Sequence, residues 1–586
     1  MRFGHFFIVL GLTALFLLEF SSVQALEETL RPAPEIATGL NTVKAARGSK
    51  MMAVTAHPEA TRVAYDILKR GGTAMDAAVA AQLILGLVEP QSSGLGGGGF
   101  AIYYDATARQ VFSYDGRETA PQNVGSHLFI DSDGKPIRFY EAVVGGRAVG
   151  VPGMPRLLEM MHRVHGELSW RELFSPAIQL AEGGFDVTPR LHQSLTASSQ
   201  RFDIDTKTKL QFFPDGKTPI QVGERLGNSA YAATLRTLAQ DGVDAFYQGH
   251  IAKDIVAKVR GIKSNPGQLS LEDFTSYRAK MRNTVCDTYR GYKICSMGEP
   301  SSGGLTLLQT LRILEQFNLK ALGANNPKSW HIIAEASRLA FADRNKYIAD
   351  SDFTETPGLT LLDEQYIKAR AKLINPEKAM MDVSAGQPDF ENQQAFGADN
   401  KIKNTGTTHI SIVDSIGNIV SMTSSIETAF GSHVMVNGFL LNNQLTDFSF
   451  KPNDEKGRLI ANKVEGGKRP RSSMTPTIIF DPKGQPFMVI GSAGGSRIIG
   501  YVLQRIIAAI DWGMPIDQSI AAPHILHRGQ KLEVETSGLN KAEPLKNLGH
   551  PVLVGEMNSG LTAIQFNGRQ MVGVADPRRE GVALGE

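Results

Sequence analysis

The chain has 586 residues, 42% hydrophobic and 20% charged, with a formal net charge of +2. That length exceeds what one hydrophobic core usually serves and predicts more than one structural unit. A near-neutral balance, with both signs mixed along the chain, leaves no basic footprint for nucleic acid.

Arg2 and His5 precede an apolar run from Phe6 to Phe20, then a polar stretch ends in Val23-Gln24-Ala25. This is the layout of a secretory signal peptide, predicted over residues 1–25. The alternative, a retained membrane anchor, asks for a longer run. No later segment has ~18 consecutive apolar residues, so the mature protein is expected in the periplasm or secreted, without a stable membrane span. Residues 26–48 read as a loose polar leader. From Pro58 the pattern turns helical and stops at Gly71-Gly72, a helix-ending signal. TAMDAAVAAQLILGLVEP is apolar almost all round and predicts a buried helix.

Gly94 to Gly99 formally matches GxGxxG. It follows a predicted helix instead of a strand, and no Lys-Ser/Thr comes after it, so neither a dinucleotide fold nor a P-loop is expected. A bend with close backbone approach fits better. His162 and His165 lack acidic or Cys partners at metal-ligand spacing and read as surface helix residues. No metal or cofactor site is expected, and there is no G-x-S-x-G elbow.

Export gives weight to the only two cysteines, Cys286 and Cys295. β-prone residues flank Arg290-Gly291, which predicts a hairpin. Pairing Tyr289 with Tyr292 and counting outward sets Cys286 opposite Cys295, so a cross-strand disulfide is geometrically allowed. Two unbonded small hydrophobes are the alternative. Lys328 to Asp350 predicts a long helix from its three- and four-residue apolar spacing. Helical patterns dominate to about residue 375, and residues 376–406 then read as a polar linker.

The pattern changes at Thr407. THISIVDSIGNIVSMTSS predicts two strands around a turn at Ser415 to Asn418, and GFLLNN, PTIIFD and PFMVIGSAGG are strand-like. Helix-rich, linker, then β-rich predicts an α+β protein of layered helices and sheets. The junction also has chemical meaning. A threonine hydroxyl is a poor nucleophile unless a base takes its proton. A cut before Thr407 would create an α-amine of pKa ~8 beside that hydroxyl, near enough to neutral to act as the base. Pattern alone supports this weakly, since a strand-opening Thr-Thr is usually β-propensity.

TTHISIVDSIGNIVSMTSSIETAFGS resembles the start of the small subunit of γ-glutamyltransferases. LLNNQLTDFSF, GKRPRSSMTPTIIF and GSAGGSRII resemble later small-subunit motifs, and PQSSGLGGGGF, DGRETAP and EPSSGGLTLLQ resemble large-subunit ones. The resemblance runs from about residue 40 to the end. It implies the four-layer αββα sandwich of N-terminal-nucleophile hydrolases, formed jointly by a large subunit (26–406) and a small one (407–586), a heterodimer cut from one precursor.

By the same resemblance, the precursor cleaves itself at Gly406–Thr407 and Thr407 becomes the nucleophile. Gly406 stands where a larger side chain is common. Ser425 replaces a second threonine that hydrogen-bonds the nucleophile, and Gly494 and Gly495 match the oxyanion hole. Arg117, Ser472 and Ser473 match the carboxylate-binding residues; Asp447, with Gln444 beside it, matches the ammonium partner. Glu427 stands where asparagine is common. Residues 451–467 correspond to a lid loop, here without Tyr or Trp. Implied substrates are glutathione and other γ-glutamyl compounds, with water, amino acids or peptides as acyl acceptors. A glutaryl-cephalosporin-type acylase, a poly-γ-glutamate-processing enzyme and an uncleaved, inactive binding protein are the alternatives.

Overall fold

A computed structural model of the protein describes residues 40–390, 396–399 and 406–586. The expected signal peptide and part of the expected linker lie outside the described residues. No described helix is long and apolar enough to cross a membrane.

Among the described residues, fourteen strands form two central sheets. In chain order they are β1 (Ala46–Gly48), β2 (Met52–Thr55), β3 (Gly98–Asp105), β4 (Gln110–Gly116), β5 (Lys280–Arg282), β6 (Val285–Tyr289), β7 (Tyr292–Ser296), β8 (Thr408–Val413), β9 (Ile419–Ser425), β10 (Thr477–Phe480), β11 (Pro486–Gly491), β12 (Thr562–Asn567), β13 (Gln570–Ala575) and β14 (Val582–Gly585). The first sheet runs β1-β13-β12-β11-β10-β7-β6, and the second runs β14-β2-β8-β9-β3-β4-β5.

Strand alternation assigns each side chain to a layer. Phe100 and Ile102 of β3 pack between the sheets with Ile478, Val489 and Ile564. Ala101 and Tyr103 point the other way, onto α1 (Pro58–Lys69) and α2 (Ala74–Val88). The first sheet's outer face, including Ile479, Met488 and Ile490, packs on α4 (Gly303–Leu314), α5 (Pro327–Tyr347) and α6 (Ile498–Ile510); α3 (Met154–His165) belongs to the α1–α2 layer. The order is therefore helix, sheet, sheet, helix: the αββα sandwich of the N-terminal-nucleophile hydrolases. Apolar on every side, α2 buries every residue but Gly86 and starts on a Thr73–Asp76 capping box.

The stretch before Thr407, whose pattern reads as helical, supplies three strands to the first sheet and four to the second. GGFAIYYD in β3 is a continuous apolar run because both its faces are covered, and such a run carries no period that separates strand from helix. The expected hairpin is β6–β7, with Cys286 paired to Cys295 and bonded to it. His162 and His165 lie on α3 but are half-buried, not surface residues. His165 Nε2 meets the Tyr114 hydroxyl at 2.6 Å, and His162 Nε2 meets the Leu168 carbonyl at 2.8 Å. Packing against α2 and β4 draws them in.

Candidate active site

The β8–β9 hairpin places the two hydroxyls of interest. Thr408 pairs with Ser424 across it, so one step further out Thr407 stands opposite Ser425. Both are buried. The chain is continuous through Gly406–Thr407, and the Gly406 carbonyl oxygen is bonded twice. Thr407 Oγ donates to it, and so does Ser425 Oγ at 2.8 Å. Gly406 N donates to the Glu427 carbonyl at 2.5 Å, and Arg579 holds the Thr407 carbonyl at 2.8 Å. The Gly406–Thr407 peptide is thus held on both sides. The glycine run wraps this point closely: a Cβ on Gly97 would collide with the Ser425 carbonyl oxygen.

One cavity is lined by Arg117, Thr407, Ser425, Glu427, Gln444, Asp447, Ser472, Ser473 and Gly495. Residues far apart in sequence converge here: Thr407 and Ser425 come from the β8–β9 hairpin, Gln444 and Asp447 from a short 3-10 turn after Leu440, and Ser472 and Ser473 from the irregular segment before β10. Gly406 adjoins Thr407 in the chain, and Gly494 adjoins Gly495. Cys286 and Cys295 belong to the inter-sheet core instead.

Charge is concentrated here. Arg117 is 0% exposed; its Nη2 lies 2.5 Å from Asp447 Oδ2, and its Nε donates to the Pro470 carbonyl at 3.1 Å. Burial lowers the guanidinium's proton affinity, but Asp447, then Glu118 and Glu427, raise it by more. Glu118, 3.7 Å from Arg117 Nη1, is fully buried, and burial pushes its carboxyl up to about 8. Glu427 adopts φ +85, an uncommon state for a residue with a Cβ. Its amide donates to Ser425 Oγ at 2.8 Å, and Gln444 Nε2 donates to its Oε2 at 2.8 Å, which together hold the turn.

Gly494 (φ +125) and Gly495 (φ +60) form the entry to α6 through a short 3-10 turn, where backbone amides lack intrahelical partners. A Cβ on Gly494 would also press on the Tyr501 ring at 2.6 Å. His409, the histidine closest in sequence to Thr407, bonds Thr423 Oγ1 at 2.7 Å, and burial lowers it to about 3. It is neutral at physiological pH and already engaged.

Sequence reasoning missed Arg344, Asp399, Arg471 and Ser496, which also line the cavity. Arg471 stands in the quoted GKRPRSSMTPTIIF motif, so its neighbours were in view. Arg344, in the last turn of α5, reads in sequence as an ordinary basic helix end.

A family model described as gamma-glutamyltranspeptidase matches residues 60–586. The chain is 36% identical to a glutathione hydrolase proenzyme of Bacillus subtilis over 92% of each chain. It is 34% identical to the acylase ACY 1 proenzyme of a Pseudomonas strain, over 92% of this chain and 93% of that one. The crystal structure of a cephalosporin acylase from Bacillus halodurans superposes with a TM-score of 0.82 at 26% identity, covering 93% of this chain and 97% of the other. With its sandwich, its hairpin-end threonine and these matches, the chain belongs to the γ-glutamyltranspeptidase family.

Proposed function

We propose that the protein is an exported, self-processing γ-glutamyltransferase and glutathione hydrolase. The observation that carries this reading is the grouping of Glu427 and Asp447 with Arg117 in the cavity that holds Thr407. An amino-acid head group brings one ammonium and one carboxylate, and a site with two acids and a planar guanidinium answers both. A glutaryl group brings only the carboxylate.

Processing starts from the fixed Gly406–Thr407 peptide. Thr407 Oγ attacks the Gly406 carbonyl carbon, the C–N bond breaks, and the nitrogen takes up the proton the hydroxyl loses and leaves as the α-amine of Thr407. Ser425, already donating to that carbonyl oxygen at 2.8 Å, stabilises the charge that develops there. Water then hydrolyses the ester and frees both chain ends. In turnover the new α-amine takes the Thr407 hydroxyl proton as Oγ attacks the γ-amide carbon of the substrate. The Gly494 and Gly495 amides receive the oxyanion, the leaving amine takes the proton, and a γ-glutamyl ester remains. Water or an acceptor amine resolves it.

A glutaryl acylase is the second reading, favoured by the similarity to the acylase proenzyme and the cephalosporin acylase. Turnover of γ-glutamyl- and glutaryl-p-nitroanilide by the processed protein separates the two. Faster γ-glutamyl cleavage is expected, and faster glutaryl cleavage would reject the first reading. Export is tested by fractionating cells that express the full chain, with the processed form expected in the periplasm or medium.

A further inference from the structure

Arg344 is unlike Arg117, which lines the same cavity. Arg117 has its charge matched by Asp447 at 2.5 Å. Arg344 is 7% exposed, and among the described residues it forms no ion pair, although Asp399 and Asp447 line the same cavity. Its three nitrogens donate only to neutral oxygens: Nε to Ser302 Oγ at 2.8 Å, Nη1 to Asn345 Oδ1 at 2.9 Å and Nη2 to Ser473 Oγ at 2.7 Å. Burial, and then the neighbouring Arg471, disfavour its charged form by more than Asp399 and Asp447, which act on it from beyond ion-pair distance, favour it. Arg471 brings no net negative charge either: its Nη1 donates to the Arg344 carbonyl at 3.0 Å, and its Nη2 pairs with Asp399 at 3.4 Å. A guanidinium stays protonated in proteins, and a buried charge is costly without a counter-charge. This one faces a cavity.

The hydrogen bonds also have a direction. An arginine only donates, so Ser473 Oγ accepts from Arg344, and its own proton has no acceptor among the described residues. Ser302 works the same way one step back. It accepts from Arg344 Nε and donates at 2.6 Å to the Ser472 carbonyl. From α5, one edge of the guanidinium therefore holds Ser473 directly and the Ser472 backbone through Ser302.

We propose that Arg344 is a positioning residue for recognition of the substrate carboxylate: it turns the Ser473 hydroxyl outward as a donor and supplies a positive charge that no ion pair takes up. This rests on the function proposed above, though only on the carboxylate that γ-glutamyl and glutaryl donors share. The ligand class is thus an acyl donor whose chain ends in a carboxylate, whichever of the two it is.

The test compares wild type, Arg344→Gln, Arg344→Lys, Ser473→Ala and the Gln/Ala double variant, each checked for processing. The donors are γ-glutamyl-p-nitroanilide and the same anilide with its α-carboxylate converted to a carboxamide. Arg344→Gln should raise KM for the carboxylate donor by about tenfold or more, the loss expected for a charge-assisted contact, with a much smaller change in kcat. On the carboxamide donor it should differ little from wild type. Arg344→Lys should recover part of the loss, and the double variant should be no worse than Arg344→Gln. Equal losses on both donors, or additive losses in the double variant, would overturn the proposal. If Arg344→Gln stays unprocessed, Ser473→Ala decides alone: it must show the carboxylate-specific loss. A wild type that prefers glutaryl rejects the γ-glutamyl reading only, and the comparison is then made with glutaryl and its amide. A wild type inactive on all these donors rejects both.

Discussion

Asp447→Asn separates recognition from scaffolding. Asn keeps the size and one acceptor oxygen but removes the charge that meets Arg117 Nη2 at 2.5 Å. Arg117 is fully buried while the Asp447 side chain is 17% exposed. Breaking a buried pair costs about 3–5 kcal/mol. Here the amide oxygen still accepts a hydrogen bond, so the stability loss should fall below that range, about 2 kcal/mol. Recognition should change in a different pattern. A hydrogen bond to a charged group is worth about 1.5–3 kcal/mol, so losing the ammonium contact should cut kcat/KM for γ-glutamyl-p-nitroanilide by roughly 10- to 150-fold. Glutaryl-p-nitroanilide has no ammonium and should lose far less. The assay is the ratio of the two kcat/KM values for processed wild type and variant at one pH. A ratio unchanged while both activities fall would mean that Asp447 serves Arg117 and the fold, and the ammonium assignment would be refuted.

Ser425→Ala removes one of the two donors on the Gly406 carbonyl, and by the scale of a lost oxyanion donor its self-cleavage should slow by about 10²–10³-fold; Ser425→Thr should retain it. Densitometry of full-length chain against time checks this, and unchanged kinetics would exclude Ser425 from the step. Glu118 predicts a pH effect. Its folded pKa, about 8, is raised above the ordinary 4.5, so its contribution to stability is fully present below about 4.5 and is lost as pH rises through about 8. The difference corresponds to up to about 5 kcal/mol. Thermal midpoints should decline across that window in wild type and decline less in Glu118→Gln; parallel profiles would place Glu118 as ionised throughout.

The parts of the fold legible in the sequence were those set by local rules. Arg290 and Gly291 both take positive φ, as a two-residue hairpin turn demands, and that turn fixes the register that sets Cys286 against Cys295. The all-round apolar segment at Ala74–Val88 announces burial without needing a partner. The long helix is Pro327–Tyr347 against the expected Lys328 to Asp350, ending early where the backbone at Ile348 turns extended. The resemblance named most of the residues that share the cavity with Thr407, since spacing alone says nothing about Arg117 meeting Asp447 across 330 residues. Arg344 escaped because its burial is made by Ser302 and Ser473, which approach from other elements. No local pattern separates such a residue from a solvated helix-end arginine.

The central claim is that Thr407 becomes an N-terminal nucleophile. N-terminal sequencing of the smaller fragment from the purified protein tests it most directly, with Thr407→Ala alongside. The account predicts Thr-Thr-His-Ile-Ser from the wild type and an uncut, inactive Thr407→Ala chain. A folded wild type that stays at full length, a fragment that begins elsewhere, or cleavage that persists in Thr407→Ala would contradict it.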